Sequence, residues 1–405
     1  MKINTDKEKI DELLSRSVAE IIPNPDKLRQ ALASGQRLRI YIGTDPTGTS
    51  LHLGHATNYM ILEKFRRLGH EVIFLVGDFT ARIGDPTDKS DTARKQLTRE
   101  DVTANVKTWI DQVRPVIDVD NKDNPVKILY NHAWLATLSF EDVLNLASNF
   151  TVQQMIERDM FQERIKSGKP LYLHELFYPL MQGYDSVAMD VDIEMAGTDQ
   201  KFNALAGRTL LRKLKDKEKF VFITTLLENP KTGEKMMSKS MGTGVFLDFK
   251  ADQMYGAIMA QADENIRQLF VDTTWLDLKE IEAILGQSSP QEAKKRLAFE
   301  ITKIYHGQDP AGKAAENFVQ TFQNKEAPNE MPAFKVSPQT TIIDILVESG
   351  LAESKGDAKR IVQQGGVKLN GEKITEAGLD QPLDLIAGKN ILQKGKRHFL
   401  ELTPE

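Results

Sequence analysis

The chain has 405 residues, 27% of them charged and 40% hydrophobic, with a net charge of −5 and no cysteine. These values exclude a disulfide scaffold, a thiolate metal site, a disordered low-complexity chain and a polycation that holds nucleic acid by bulk charge. The length exceeds what one hydrophobic core supports, so two or three domains are expected.

The first residues, Met1 to Glu8, carry both signs of charge and no apolar stretch, so no secretory signal is read there. The longest clean apolar run, Val72 to Val76, is too short to cross a bilayer. A cytoplasmic protein with no membrane partner is expected.

From residue 38 to about 225, short apolar runs alternate with amphipathic stretches. The runs at 38–42, 71–76, 126–130, 192–195 and 220–223 predict buried strands. The stretches at 56–68, 100–113 and 140–147 predict helices between them. The alternation predicts an α/β, Rossmann-like parallel sheet covered on both faces, with its ligand site at the carboxyl ends of the strands. Beyond residue 246 the pattern turns helical, at 252–260, 264–270, 278–284, 291–305 and 312–324. Pro328, Pro332 and Pro338 then stand among polar residues and mark a linker. The tail predicts helices at 342–348 and 355–364, and strands at 367–369 and 391–402, with Asn370-Gly371 as a tight turn. The resulting division is 1–246 for the Rossmann-like domain, 247–324 for an all-helical domain, 325–339 for the linker and 340–405 for a small α+β domain.

Two segments almost two hundred residues apart carry the strongest chemistry. His52-Leu53-Gly54-His55 follows the first predicted strand. Two histidines three apart share a helix face, and a helix beginning there aims its N–H groups at an anion. The same residues also suit two histidines capping a surface helix. Met236-Met237-Ser238-Lys239-Ser240 lies in a loop rich in Gly and Lys. Such a loop can close on a polyphosphate, or can simply be solvated. Neither segment has neighbours at metal-ligand spacing, so no protein-borne metal site is expected.

Tyr178, Gln182 and Asp185 fall at i, i+4 and i+7, a polar stripe on an otherwise apolar helix. A buried polar stripe must be satisfied, by a ligand or by internal hydrogen bonds. Ile83-Gly84-Asp85-Pro86-Thr87-Asp88-Lys89 reads as a turn after a strand end. Gly197-Thr198-Asp199-Gln200 reads as a strand end at which Asp199 caps a helix or holds a ribose.

Together these residues resemble the class I aminoacyl-tRNA synthetases, and within them the bacterial tyrosyl-tRNA synthetases, from end to end of the chain. The resemblance rests on Tyr41-x-Gly43-x-Asp45-Pro46-Thr47 ahead of the histidine motif, on the stripe Tyr178-x-x-x-Gln182-x-x-Asp185, and on Gly197-x-Asp199-Gln200. It implies ATP-dependent ligation of L-tyrosine to its tRNA, with Mg2+ accompanying ATP and a homodimer built around 135–164. It implies that Tyr41 and Asp185 bind the tyrosine hydroxyl. Asp85, Tyr178 and Gln182 would bind its ammonium group, with Gln200 near the carboxylate. Gly43, Asp45, Gly54, Gly197 and Asp199 would surround the adenylate. Thr47, His52 and His55 would contact ATP, and Lys89, Ser238 and Lys239 the departing pyrophosphate.

The family's loop usually begins with a lysine where this chain has Met236. Lys235 is one residue early for that role. Arg94 is a candidate for an arginine that the family carries after the Lys89 position.

The tail resembles a small ribosomal-protein RNA-binding domain. Residues 341–405 hold 9 Lys/Arg against 10 Asp/Glu, so clustering must carry RNA contact: Lys355, Lys359 and Arg360 on one helix, Lys394, Lys396 and Arg397 on one hairpin. Rival readings are the tryptophan enzyme of the same class, another nucleotidyltransferase with the histidine motif, and a non-catalytic RNA-binding relative.

Overall fold

In the computed structural model the described residues are 2–85, 98–229, 233, 236–237, 244–323, 331–337, 339–374, 378–379, 382–383, 385, 390–395 and 398–404. They form two compact units, Met1–Gln308 and Asp309–Glu405.

The first unit is built on a six-stranded sheet in the order β1-β6-β5-β2-β3-β4. Its strands are β1 (Val18–Ile22), β2 (Arg39–Thr44), β3 (Glu71–Val76), β4 (Lys127–Tyr130), β5 (Ile193–Gly197) and β6 (Phe220–Thr224). β2 through β6 pair in parallel, as the alternating pattern predicts. Their near-continuous apolar runs are the mark of strands covered on both faces. Ile40, Val72, Val221 and Phe222 are fully buried.

β1 is absent from the predicted strands, and it runs antiparallel to β6 at the sheet edge. Its sequence, Val-Ala-Glu-Ile-Ile, has no period of two, and its Glu20 is exposed. An edge strand with one covered face needs no apolar run to declare it.

The chain leaves β2 toward β3 and β4 on one side and returns to β5 and β6 on the other. The order therefore reverses between β2 and β5, where a doubly wound sheet opens a crevice at its carboxyl edge. Two helices frame that crevice. Leu53–Arg67 begins at His52, whose backbone N–H donates to His55 Nδ1 at 3.2 Å. Leu173–Met189 ends in Asp190, which takes a left-handed conformation (φ 51°) and turns the chain into β5. It packs on Lys201–Lys215 so closely that a Cβ on Gly183 would sit 3.2 Å from the Gly207 nitrogen.

The helices Ala251–Met259, Ile266–Thr273, Leu278–Gln287 and Pro290–His306 belong to the same unit. Arg16 ties one of them down, donating to the carbonyls of Val271, Thr274 and Leu276 at 2.6–2.8 Å and so satisfying a helix C-terminus.

The second unit holds a five-stranded sheet in the order β7-β11-β10-β8-β9. Its strands are β7 (Ala333–Val336), β8 (Val367–Leu369), β9 (Glu372–Lys373), β10 (Asn390–Lys394) and β11 (His398–Pro404). β7 lies inside the stretch read as linker and pairs in parallel with β11. The hairpin expected within 391–402 is present, with β10 and β11 pairing antiparallel on either side of Gly395. Helices Ile342–Glu348 and Lys355–Gln363 pack Ile345, Leu346, Ala358 and Val362 into this unit's core. Among the described residues, no helix is long and apolar enough to cross a membrane.

Candidate active site

The carboxyl ends of β2, β3, β5 and β6 open onto one cavity of about 400 Å³. It gathers residues from every predicted motif. Gly43, Asp45, Thr47, His52, Gly54 and His55 line it from the β2 end and the histidine helix. Gly197, Asp199 and Gln200 line it from the end of β5, Tyr178, Gln182 and Asp185 from the helix stripe, and Asp85 from the turn beyond β3. Lys89, Arg94, Lys235, Ser238 and Lys239 lie outside the described residues.

The histidines are held rather than loosely placed. Their ring centroids are 3.8 Å apart. A Cβ on Gly54 would meet the His52 ring at 3.1 Å, so glycine at that position leaves the ring its place over the backbone. Burial pushes the His55 pKa down to about 4, so the ring is neutral at pH 7 and offers hydrogen bonds rather than charge.

The two distant motifs are joined through the backbone. Leu53 N donates to Val245 O at 3.1 Å and Leu247 N to Leu51 O at 2.8 Å, so the strand-like exit of the Lys/Ser loop pairs with the entry to the histidine helix. Phe246 stands edge-on to His52 at 6.3 Å. Met236, at the usual lysine position, is buried, and its N–H donates to Leu227 O at 3.0 Å.

On the side of the helix stripe, Tyr178 donates its hydroxyl to Asp45 Oδ2 at 2.8 Å, and Thr80 donates to the other oxygen, Oδ1, at 2.6 Å. Asp85 accepts from Gln200 Nε2 at 2.7 Å. Asp185 is buried and accepts from Trp134 Nε1 at 2.7 Å and Asn131 Nδ2 at 3.3 Å. Burial raises its pKa well above the usual carboxylate range, and these two donors oppose the rise.

Tyr41 differs from its partners in the stripe. It is fully buried beneath the cavity wall, with its hydroxyl 2.9 Å from Ser186 Oγ. Burial, then the nearby Glu194 and Asp185 charges, push its pKa up.

Thr80 and Asn131, which line the cavity, escape the sequence reading, as do Trp134, Ser186, Glu194 and Lys219, which bond to its lining residues or to one another behind them. None sits in a repeating pattern. Glu194 carries the one available signal, a lone carboxylate inside an otherwise apolar strand.

Among the described residues, no group of three His, Asp or Glu side chains is placed to hold a metal ion. Of the basic residues read as RNA contacts, Lys355, Lys359 and Arg360 are exposed. Lys355 pairs with Asp344 at 2.9 Å and Arg360 with Asp357 at 2.7 Å. Lys394 donates to the Leu351 carbonyl, and Lys396 and Arg397 lie outside the described residues.

Residues 33–323 match the family described as tRNA synthetases class I (W and Y). The chain belongs to that family. Residues 323–402 match the tyrosine--tRNA ligase SYY-like C-terminal domain. Relatives of this class I synthetase include the tyrosine--tRNA ligase of Moorella thermoacetica, 40% identical over 399 residues, covering 96% of this chain and 94% of the relative. The tyrosine--tRNA ligase of Thermotoga maritima is 39% identical over 397 residues, covering 97% and 96%.

Two solved structures share the synthetase fold. A C-terminally truncated mitochondrial tyrosyl-tRNA synthetase from Aspergillus nidulans aligns with a TM-score of 0.63 at 23% identity, over 78% of this chain and 94% of that one. Tyrosyl-tRNA synthetase from Archaeoglobus fulgidus, complexed with L-tyrosine, aligns at 0.59 and 19% identity, over 76% and 100%. At those identities the likeness speaks for the fold alone.

Proposed function

We infer that the protein is a tyrosine–tRNA ligase. It forms tyrosyl-adenylate from L-tyrosine and ATP with release of pyrophosphate, then passes the tyrosyl group to the 3′-terminal adenosine of its tRNA. One observation carries the reading: the histidine end and the Tyr178–Gln182–Asp185 stripe line the same cavity, in a chain matched over nearly its full length by tyrosine ligases.

The first step needs no protein acid or base. The tyrosine carboxylate is already ionised and attacks the α-phosphorus of ATP. The enzyme aligns the reactants and stabilises charge on the leaving pyrophosphate. Neutral His55, with His52 and Thr47, suits hydrogen bonding to phosphate oxygens. Asp199 stands at the end of β5, a position from which it would take the ribose. Gly43, Asp45, Gly54 and Gly197 give the adenylate a close-packed wall. Lys89, Ser238 and Lys239 would neutralise the pyrophosphate. Mg2+ enters as part of the nucleotide substrate.

Asp85, Tyr178 and Gln182 offer the ammonium group a set of oxygens, with Gln200 beside it. Asp185, with Tyr41 beneath, recognises the phenolic hydroxyl. A substrate lacking that hydroxyl leaves buried polar groups unpaired, which costs about 1–3 kcal/mol for each.

We assign tRNA contact to the helices after residue 247 and to the tail, where Lys355, Lys359 and Arg360 stand open to solvent. The working form is a cytoplasmic homodimer. Phe140, Leu144 and Val152, 78%, 54% and 65% exposed within 135–164, support an interface there.

Amino-acid-dependent ATP–pyrophosphate exchange, run with all twenty amino acids, tests the assignment. Exchange with tyrosine alone is expected, and its absence sinks the reading. Lys239→Ala should slow activation and leave tyrosine affinity near that of the parent. An equal loss of tyrosine binding would remove Lys239 from the pyrophosphate role.

A further inference from the structure

Under the amino-acid side of the cavity lies a charge pair that no motif announces. Glu194 on β5 and Lys219, one residue before β6, are 1% and 0% exposed and form an ion pair. A carboxylate only accepts hydrogen bonds and an ammonium only donates them, so the pair dictates the hydrogens around it. Gln182 must turn its Nε2 toward Glu194 Oε1, 3.0 Å away. Its carbonyl Oε1 is then the acceptor end of an amide that lines the cavity.

Ser186 Oγ accepts from Lys219 Nζ at 2.8 Å and spends its one proton on Glu194 Oε2 at 3.2 Å. The Tyr41 hydroxyl stands 2.9 Å from the same Ser186 oxygen, so it joins the network that the charge pair organises.

We propose that Glu194 and Lys219 are positioning residues for the amino-acid substrate. They lock the Gln182 amide with its oxygen toward the substrate's ammonium group. The proposal rests on the reading of Gln182 as an ammonium ligand. A glutamine without such an anchor can present either end, and its N–H end repels an ammonium. Glu194 removes that choice. Lys219 lets Glu194 remain a carboxylate where an unpaired buried charge would be expelled or neutralised.

A role in packing alone explains the pair poorly, because apolar side chains of similar volume serve a buried core as well or better. The fold also makes room for these charges. A Cβ on Gly207 would stand 2.5 Å from Lys219 Nζ and 2.9 Å from Ser186 Oγ.

The test compares two ligands that differ only at the amino group. Tyrosine is read by its KM and kcat in ATP–pyrophosphate exchange. The desamino acid 3-(4-hydroxyphenyl)propanoate is read as a competitive inhibitor. The variants are Glu194→Gln, Glu194→Asp, Lys219→Met and the double variant Glu194→Gln/Lys219→Met.

The double variant strands no charge. It is expected to keep a melting temperature near the parent's, to raise the tyrosine KM about tenfold with kcat within about twofold, and to leave inhibition by the desamino acid unchanged. Lys219→Met alone leaves the buried Glu194 carboxylate unpaired, and should raise the tyrosine KM at least as much while lowering the melting temperature. Glu194→Asp keeps the charge but withdraws the acceptor from Gln182. It gives the same split in milder form, and it serves as the readout where a bolder change does not fold.

Equal weakening of both ligands, or an unchanged tyrosine KM in a folded variant, overturns the proposal. A parent protein without tyrosine-dependent exchange would instead overturn the functional assignment, so the two failures are distinguishable.

Discussion

Tyr178 hands its hydroxyl hydrogen to Asp45 across 2.8 Å, and that bond joins the helix Leu173–Met189 to the loop that leaves β2. Asp45 is thereby held from two sides: one oxygen by the stripe helix and the other by Thr80. Under the proposed function, a residue so placed would couple amino-acid recognition to the nucleotide end of the cavity.

Tyr178→Phe should therefore raise the KM for ATP as well as for tyrosine. The lost bond is charge-assisted, so the change should reach roughly tenfold. In a double-mutant cycle with Asp45→Asn the two effects should be non-additive. Independent, additive effects in steady-state exchange kinetics would break the proposed coupling.

Trp134 Nε1 donates to Asp185 at 2.7 Å and opposes the rise that burial imposes on the Asp185 pKa. Trp134→Phe keeps the ring and removes the donor. Its expected result is a drop of about tenfold in the preference for tyrosine over phenylalanine, with a smaller change in kcat for tyrosine. Competition assays with the two amino acids measure it, and an unchanged ratio would separate Trp134 from substrate selection.

Two glycines in helices should respond oppositely to alanine. Gly207→Ala pushes a methyl group against Lys219 and Ser186, where neither helix nor pair can yield easily. It should cost about 1–3 kcal/mol. Gly256, inside Ala251–Met259, has open space where a Cβ would stand, with no neighbour within 4 Å of it. Gly256→Ala should stabilise by about 0.5–1 kcal/mol through better helix propensity. Urea unfolding of both variants checks the contrast.

Stability should fall as the solution is made acid between pH 6.5 and 4. Burial lowers both His55 and His70 from 6.5 to about 4, so in that window the unfolded chain binds more protons than the folded one. The contribution is complete above the unfolded value and is lost as pH drops through the folded one. It reaches about 3 kcal/mol for each ring at most. Asp185 and Asp272, raised by burial, act in the opposite sense. A comparison with His70→Asn isolates one histidine, because Asn keeps an acceptor for the Leu38 N–H that His70 Nδ1 takes at 3.2 Å. The variant's fall over this window should be shallower than the parent's, and equal slopes would refute the assignment.

Much of this fold is legible in the amino-acid pattern. β3 spans the predicted 71–76, and the helix Phe140–Ala147 the predicted 140–147. β3 declares itself by a continuous apolar run that is buried along its length, and the helix by its Ser139 cap and the helical spacing of its apolar residues, although Phe140 and Leu144 stay exposed. The histidine helix is predicted from residue 56 and begins at Leu53, because capping at His52 is settled by what the backbone meets there. β1 and β7 escape the pattern for a related reason. Both are edge strands, short and partly exposed, and their partners β6 and β11 lie far along the chain.

The sequence by itself determined the motifs. His52-x-Gly54-His55, the stripe Tyr178–Gln182–Asp185 and Gly197-x-Asp199-Gln200 are local patterns whose chemistry depends on spacing within one element. Only the tertiary structure decided what stands behind them. Glu194, Lys219, Ser186, Trp134 and Asn131 come from separate strands, helices and connections, and sheet order together with close helix crossing puts them in contact. A hydrogen bond needs its partners within about 3 Å, and no one-dimensional spacing encodes that distance between residues of different elements.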